Sequence, residues 1–196
     1  MSGSRAGYGR ARASHHVEPR GPTDIARHYI RELIYGANDG VITTFAVVAG
    51  VSGGGLPLSA VLIIGAANLF ADGLSMGAGN YLSIRSHESV LEAQGAPEQE
   101  AFPFRHGVAT LIAFVGAGTV PLLPYALPAM FVDRFLLSFV FALLTLFLVG
   151  ASRSLITNVR WWQGGLEMLA LGGAVAAVSY GSGAGIAALI EDIYDV

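Results

Sequence analysis

The sequence predicts an all-α membrane protein of five spanning helices, and three observations carry that expectation. Hydrophobic residues make up 53% of the 196-residue chain and charged residues only 13%, about half the charged share of an ordinary soluble domain. The apolar residues gather into five runs, each near or above the twenty or so residues that cross a hydrocarbon core of about 30 Å. The basic residues, all arginine, collect in the segments on one side of those runs.

Residues 1–22 lack hydrophobic periodicity and are rich in Gly, Ser, Ala and Arg, the signature of a disordered, basic tail. His15, His16 and Glu18 could catch a metal there, although such a tract is more often only solvated. Thr23, after Pro22, is the expected N-cap of a helix. Its first turns, DIARHYIREL, set Ile25, Tyr29 and Ile30 against Arg27, His28 and Arg31. This stretch is expected to lie on the membrane surface and to run into the first span, 32–50. An uncharged turn over 51–57 reverses the chain into the second span, 58–82. The polar segment 83–105 follows, and then three further spans, 106–127, 131–151 and 167–190. Between the last two, Arg153, Arg160, Trp161 and Trp162 suit a headgroup-level anchor. Gly77-Ala-Gly79 and Gly181-x-x-x-Gly185 are expected at close helix contacts. Pro121, Pro124 and Pro128 are expected where broken backbone can find water. Residues 23–196 thus form one five-span unit.

The arginines set the orientation. With the N-terminus in the cytoplasm, ten of the eleven basic residues fall inside and only Arg134 falls outside. That is the positive-inside asymmetry of an odd number of spans, and it puts the C-terminus outside. With no cysteine, disulfide scaffolds, Cys-zinc sites and thiol catalysis are excluded. The net charge of −3 and the lack of a basic tract give no reason to expect nucleic acid. No secretory signal is evident, because the first thirty residues have no apolar core. No Gly-x-Ser-x-Gly elbow, phosphate-cradling loop or His-Glu-x-x-His helix is present, so no enzyme is expected.

The second span holds the unusual chemistry. ANLFADGLSMGAGNYLS places Asn68, Asp72, Met76 and Asn80 at successive i, i+4 steps, which keeps them on one slowly drifting helix face. In the first span Glu32 and Asp39 stand seven residues apart and share a face as well. Counting inward at 1.5 Å per residue puts Asp39 at roughly 10 Å, Met76 at roughly 9 Å and Asp72 at roughly 15 Å from the same edge. Asp39 is then level with Met76, Asp72 with Thr43, and Glu32 with Asn80 near the mouth. Two facing helices so patterned make a ladder of oxygen ligands with one sulfur part-way along. A carboxylate in hydrocarbon costs about 2.5–3.5 kcal/mol and normally faces a partner, water or an ion. A carboxylate one turn from a thioether suits a metal of intermediate softness. The plain alternative is a polar packing seam in which Met76 fills a gap. An intramembrane aspartic protease is disfavoured, since a neighbouring sulfur and amide serve no step of peptide hydrolysis.

YGANDGVITTFAVVAGVSG and ANLFADGLSMGAGNYLSIRSHES together closely resemble the first two helices of the vacuolar iron transporter family. HGVATLIAFVGAGTVPLLPY and EMLALGGAVAAVSYGSG extend the resemblance over nearly everything after residue 28. The resemblance implies a homodimer of five-helix subunits that moves Fe²⁺, and often Mn²⁺, out of the cytoplasm in exchange for protons. It also implies that Asp39 and Met76 line the path, at the dimer interface. Two departures stand out. The best-known members carry a long Glu-rich insertion between the second and third spans, a cytoplasmic metal-binding domain for which segment 83–105 is too short. Some members have an acid where this chain has Asn68, while here Asp72 stands one turn later.

The expectation is therefore a divalent transition-metal exporter. Glu32, with His28 and Glu88, attracts hydrated cation at the inner mouth. Asp39 and Met76 replace water around it, and Asn80 or Asn68 adds neutral oxygen. Met76 biases against Mg²⁺ and Ca²⁺, which prefer all-oxygen shells. Asp72 is the candidate proton carrier, deep enough to hold a proton when no metal is bound. No permanently bound cofactor is expected; the partners are metal ions, protons, lipid and a second copy of the chain. The short form, without an organelle-targeting signal, points to a bacterial inner membrane. The alternative is a membrane dimer that binds metal, or serves as a scaffold, without moving it.

Overall fold

Helices form where the apolar runs predict them. The structure, a computed structural model, describes residues 14–17, 19–128, 133–155 and 160–194. In order these form α1 (Pro22–His28), α2 (Ile30–Gly53), α3 (Leu58–Ala93), α4 (Pro103–Gly118), α5 (Leu123–Ala126), α6 (Arg134–Ser152) and α7 (Trp161–Tyr194). Five stretches are long and apolar enough to cross a membrane: Ile30–Gly53, Leu58–Ala93, Pro103–Ala126, Arg134–Leu155 and Trp161–Ile193. Each overlaps one expected span, and the chain is an integral membrane protein. Most of the tail, residues 1–13 and Glu18, lies outside the described residues.

The entry to the first span differs from expectation. Pro22, not a residue after a Thr23 cap, opens α1, with Gly21 extended before it. Proline's fixed φ and missing N–H suit the first helical position. Tyr29, at φ −99° and ψ 8°, then separates α1 from α2, so the two are not one continuous helix. At the far end of α2, Gly55 takes φ +68°. The Leu56 N–H donates to the Val51 carbonyl and the Gly55 N–H to that of Ser52, which closes the helix as a glycine-dependent Schellman turn. The same arrangement at Gly95 ends α3. α3 thus runs well past Leu82 to Ala93.

α2 is the centre of the bundle, packed by α3, α4, α6 and α7. Its Val41, Phe45, Val48 and Ala49 are at most 3% exposed. α3 is one-sided: Val61, Gly65, Leu69, Gly73 and Gly77 recur every fourth residue on its buried face, while Ile63, Phe70 and Leu74 are exposed. A Cβ at Gly77 would stand 2.8 Å from the Gly107 carbonyl, so α3 and α4 cross in near-backbone contact there. At Gly79, Gly181 and Gly185 nothing described within the single chain lies within 4 Å of a Cβ. Gly183 instead approaches the backbone of Gly50.

The third span is broken as the prolines predict, and one carbonyl at the break is paired within the protein. A 3-10 turn at Val120–Leu122 and α5 follow α4, with Pro121 and Pro124 buried. The fully buried Ser138 of α6 donates to the Pro121 carbonyl at 2.6 Å. A buried hydroxyl thus pairs a buried carbonyl where the helix ladder is interrupted.

Candidate functional site

The polar groups of α2 and α3 are brought to a common level by glycine. Gly40 of α2 packs against the Phe114 backbone, and Gly73 of α3 against the side chains of Leu111, Phe114 and Val115. The residue before each glycine is an aspartate. Asp39 and Asp72 therefore flank one stretch of α4. The expected rungs, Asp39 with Met76 and Asp72 with Thr43, are offset from this. Counting residues from the end of the apolar run took Leu82 as a depth mark, whereas glycine packing on Phe114 sets the register.

Of the remaining α3 groups, Met76 and Asn80 climb from Asp72 towards the α1 end, and Asn68 lies on its far side. Asn68 donates to Asp72 Oδ2 at 2.8 Å, steering that carboxylate from one turn away. Met76 is half-buried against the apolar core, one turn from both Asp72 and Asn80. Asn80 donates to Thr110 Oγ1 at 2.9 Å, and Thr110 in turn donates to the His106 carbonyl, so α4 holds the amide in place. Asn80 and Glu32 line one cavity of about 340 Å³ with Arg31, Tyr35 and Ser83, matching their expected common level. Thr43 is committed elsewhere, donating to the Asp39 carbonyl at 2.8 Å, a helix back-bond.

Three buried oxygens of α2, Glu32 Oε2, Asn38 Oδ1 and Thr44 Oγ1, have no hydrogen-bond partner among the described residues. Unpaired buried oxygens are costly; at six-residue spacing these three point to different faces of α2, so each is a separate unmet acceptor.

At the α1 end the expected trio separates. Glu32, its side chain 2% exposed, lies 2.9 Å from Arg31 and 3.2 Å from His106 Nδ1. Glu88 accepts the backbone N–H groups of Gln99 and Glu100 at 3.0 and 2.9 Å, so it fastens the α3–α4 connection. His28 lies 3.7 Å from Glu100 Oε2. Sequence reasoning missed Asn38, Glu100 and His106. The last is buried between two acids, its Nε2 3.1 Å from Glu100 Oε2. A histidine opening an apolar run was the available signal.

The family model described as the VIT family matches residues 30–102 and 94–184, two segments that meet in the α3–α4 connection. A Toxoplasma gondii protein named vacuolar iron transporter is 39% identical over 77 residues, 39% of this chain and 26% of that protein. A rice protein (Oryza sativa subsp. japonica) named vacuolar iron transporter 1 is 37% identical over 92 residues, 44% of this chain and 34% of its own length. These matches span about a quarter to a third of the two relatives' lengths. An Arabidopsis thaliana protein, also named vacuolar iron transporter 1, is 26% identical over 223 residues, 85% of this chain and 88% of its own. That alignment exceeds the 196 residues of this chain, so the relative carries residues with no counterpart here. The relatives are named vacuolar, which lends nothing to the bacterial inner membrane expected from the sequence. With its matched segments reaching from the start of α2 into α7, the chain belongs to the VIT family.

Proposed function

We propose that this protein exports a divalent transition metal, Fe²⁺ or Mn²⁺, from the cytoplasm in exchange for protons, as a homodimer with its N-terminus inside. The pairing of Asp39 with Asp72 carries this reading: two carboxylates inside apolar helices, each next to a glycine, Gly40 or Gly73, that packs against the same stretch of α4. Intramembrane acids without a basic partner serve ions or protons. A cation neutralises the pair, and when it departs a proton on one carboxyl restores part of that neutralisation. Exchange of metal for proton follows from a site that cannot be left doubly charged.

The cation enters at the cavity lined by Glu32 and Asn80 and sheds water to Asp39, Asp72 and the side-chain oxygens of Asn80 or Asn68. Met76, between Asp72 and Asn80 on α3, adds a thioether that tolerates Fe²⁺, Mn²⁺, Co²⁺ or Zn²⁺ and penalises Mg²⁺ and Ca²⁺. The arginine asymmetry supports the orientation and hence export. A dimer is supported by the open face of α3. Beside the half-buried ligands it presents Ser75, Ala78 and the unobstructed Gly79, small groups that let helices of a second copy approach. In proteoliposomes, transport gives metal flux that rises with an opposing pH gradient. Uptake that stops at a fixed stoichiometry and ignores the gradient would mean a binder and refute the proposal.

A further inference from the structure

Away from the α2–α3 ladder, three metal-ligating side chains from three separate elements meet at the α1 end. His16 comes from the segment before α1, His28 from the last turn of α1 and Glu100 from the α3–α4 connection. One ligand atom from each lies within 4.8 Å of the others. Glu100 Oε2 is 3.5 Å from His16 Nδ1 and 3.7 Å from His28 Nε2. Ligands at about 2.0–2.2 Å from a tetrahedral ion stand about 3.3–3.6 Å from one another. Two edges of the triangle therefore already have nearly the required length.

We propose that His16, His28 and Glu100 form a second divalent-metal site, separate from the ladder and suited to Zn²⁺, Fe²⁺ or Co²⁺. Two imidazoles and one carboxylate are the donors these ions favour, with a position left open for water. The side chains are 8%, 20% and 33% exposed, sheltered yet reachable. His28 Nε2 is buried without a hydrogen bond among the described residues, a cost that an ion removes. Glu100 is held in position from two sides. Its N–H donates to Glu88, and its Oε2 contacts His106 Nε2 at 3.1 Å. Such outer hydrogen bonds fix ligating carboxylates. His16 is brought in by its neighbour, the His15 N–H donating to the Glu98 carbonyl at 2.8 Å.

A cavity of about 640 Å³, lined by both histidines with Arg20, Asp24 and Arg27, opens the site to solvent. The two arginines are exposed, where water and salt screen their charge. His106 also reaches Glu32 Oε1 at 3.2 Å. An ion on Glu100 therefore sits one imidazole away from the acid that lines the ladder's cavity. The site does not depend on the ladder's moving metal.

The test is a Co²⁺ titration of the full chain in detergent, followed by visible d–d absorption. It is made in an Asp39→Asn, Asp72→Asn, Met76→Leu background, which removes both paired acids and the thioether of the ladder. One equivalent of Co²⁺ should bind with the intense absorption of a low-coordinate N/O site. His16→Ala and Glu100→Gln should each weaken binding at least tenfold and remove the band. His16 lies outside every helix, so its variant should keep the parent's unfolding midpoint. No Co²⁺ bound in this background, or binding unchanged in both variants, overturns the site. Neither outcome bears on metal flux by the unsubstituted protein, which tests the transport reading separately.

Discussion

Replacing Gly77 by alanine tests whether the α3–α4 crossing sets the positions of the ligands beside it. The added methyl would stand 2.8 Å from the Gly107 carbonyl and 3.2 Å from Leu111 Cβ. Backbone cannot swing aside as a flexible side chain can, so α3 must retreat. Reaching an ordinary contact of 3.4 Å takes roughly 0.6 Å, a displacement in the range where overpacking costs about 1–3 kcal/mol. The helix gains about 0.5–1 kcal/mol from losing a glycine, which leaves a net loss of up to about 2.5 kcal/mol. Met76 and Asn80 flank this point and move with it, and a binding constellation tolerates only about 0.5 Å. Gly116→Ala is the control, since nothing described lies within 4 Å of its Cβ. SDS-titrated unfolding in mixed micelles should place Gly77→Ala below the parent and Gly116→Ala at or above it. Metal flux should fall in the first variant alone. Equal midpoints and equal flux for the two would refute the close crossing and its role.

Three further substitutions probe the proline break, the subunit interface and the proton carrier. Ser138→Ala leaves the buried Pro121 carbonyl without its donor and should lower stability by about 1–3 kcal/mol in the same titration; an unchanged midpoint would mean that another group serves the break. Gly79→Leu has room in the single subunit, so it should keep its helicity by circular dichroism yet run as a monomer by light scattering. A surviving dimer would move the interface off this face of α3. Asp72→Asn preserves shape and removes the proton-carrying group. Its metal flux should lose its response to a pH gradient, and a retained response assigns the proton elsewhere.

Hydropathy made the five spans legible because hydrocarbon thickness demands long apolar runs. It was silent about where helices stop. Residues 83–93, SIRSHESVLEA, hold no Gly or Pro and include Arg85, Glu88, Leu91, Glu92 and Ala93, good helix formers, so α3 continues past the apolar run until Gly95 turns it. This is also why the rungs of the ladder came out offset: the visible run ended at Leu82, but the level of Asp72 is set by Gly73 against Phe114, a contact between distant parts of the chain. The aspartates themselves were legible, as acids in hydrocarbon are conspicuous anywhere. His106 was not, because its meaning lies in Glu32 and Glu100, which belong to other elements and reach it only in the folded bundle. Glu88 illustrates the converse. Its charge suggested a cation lure, but its carboxylate is spent on two backbone N–H groups of the loop it anchors.

The most direct measurement is initial metal flux into a chelator-loaded compartment by reconstituted Asp39→Ala and Met76→Ala, each verified as folded and of parental oligomeric state. An ion path between α2 and α3 predicts that Asp39→Ala abolishes flux and that Met76→Ala weakens it, most of all for Fe²⁺. Parental rates from both variants would mean that the ion passes elsewhere.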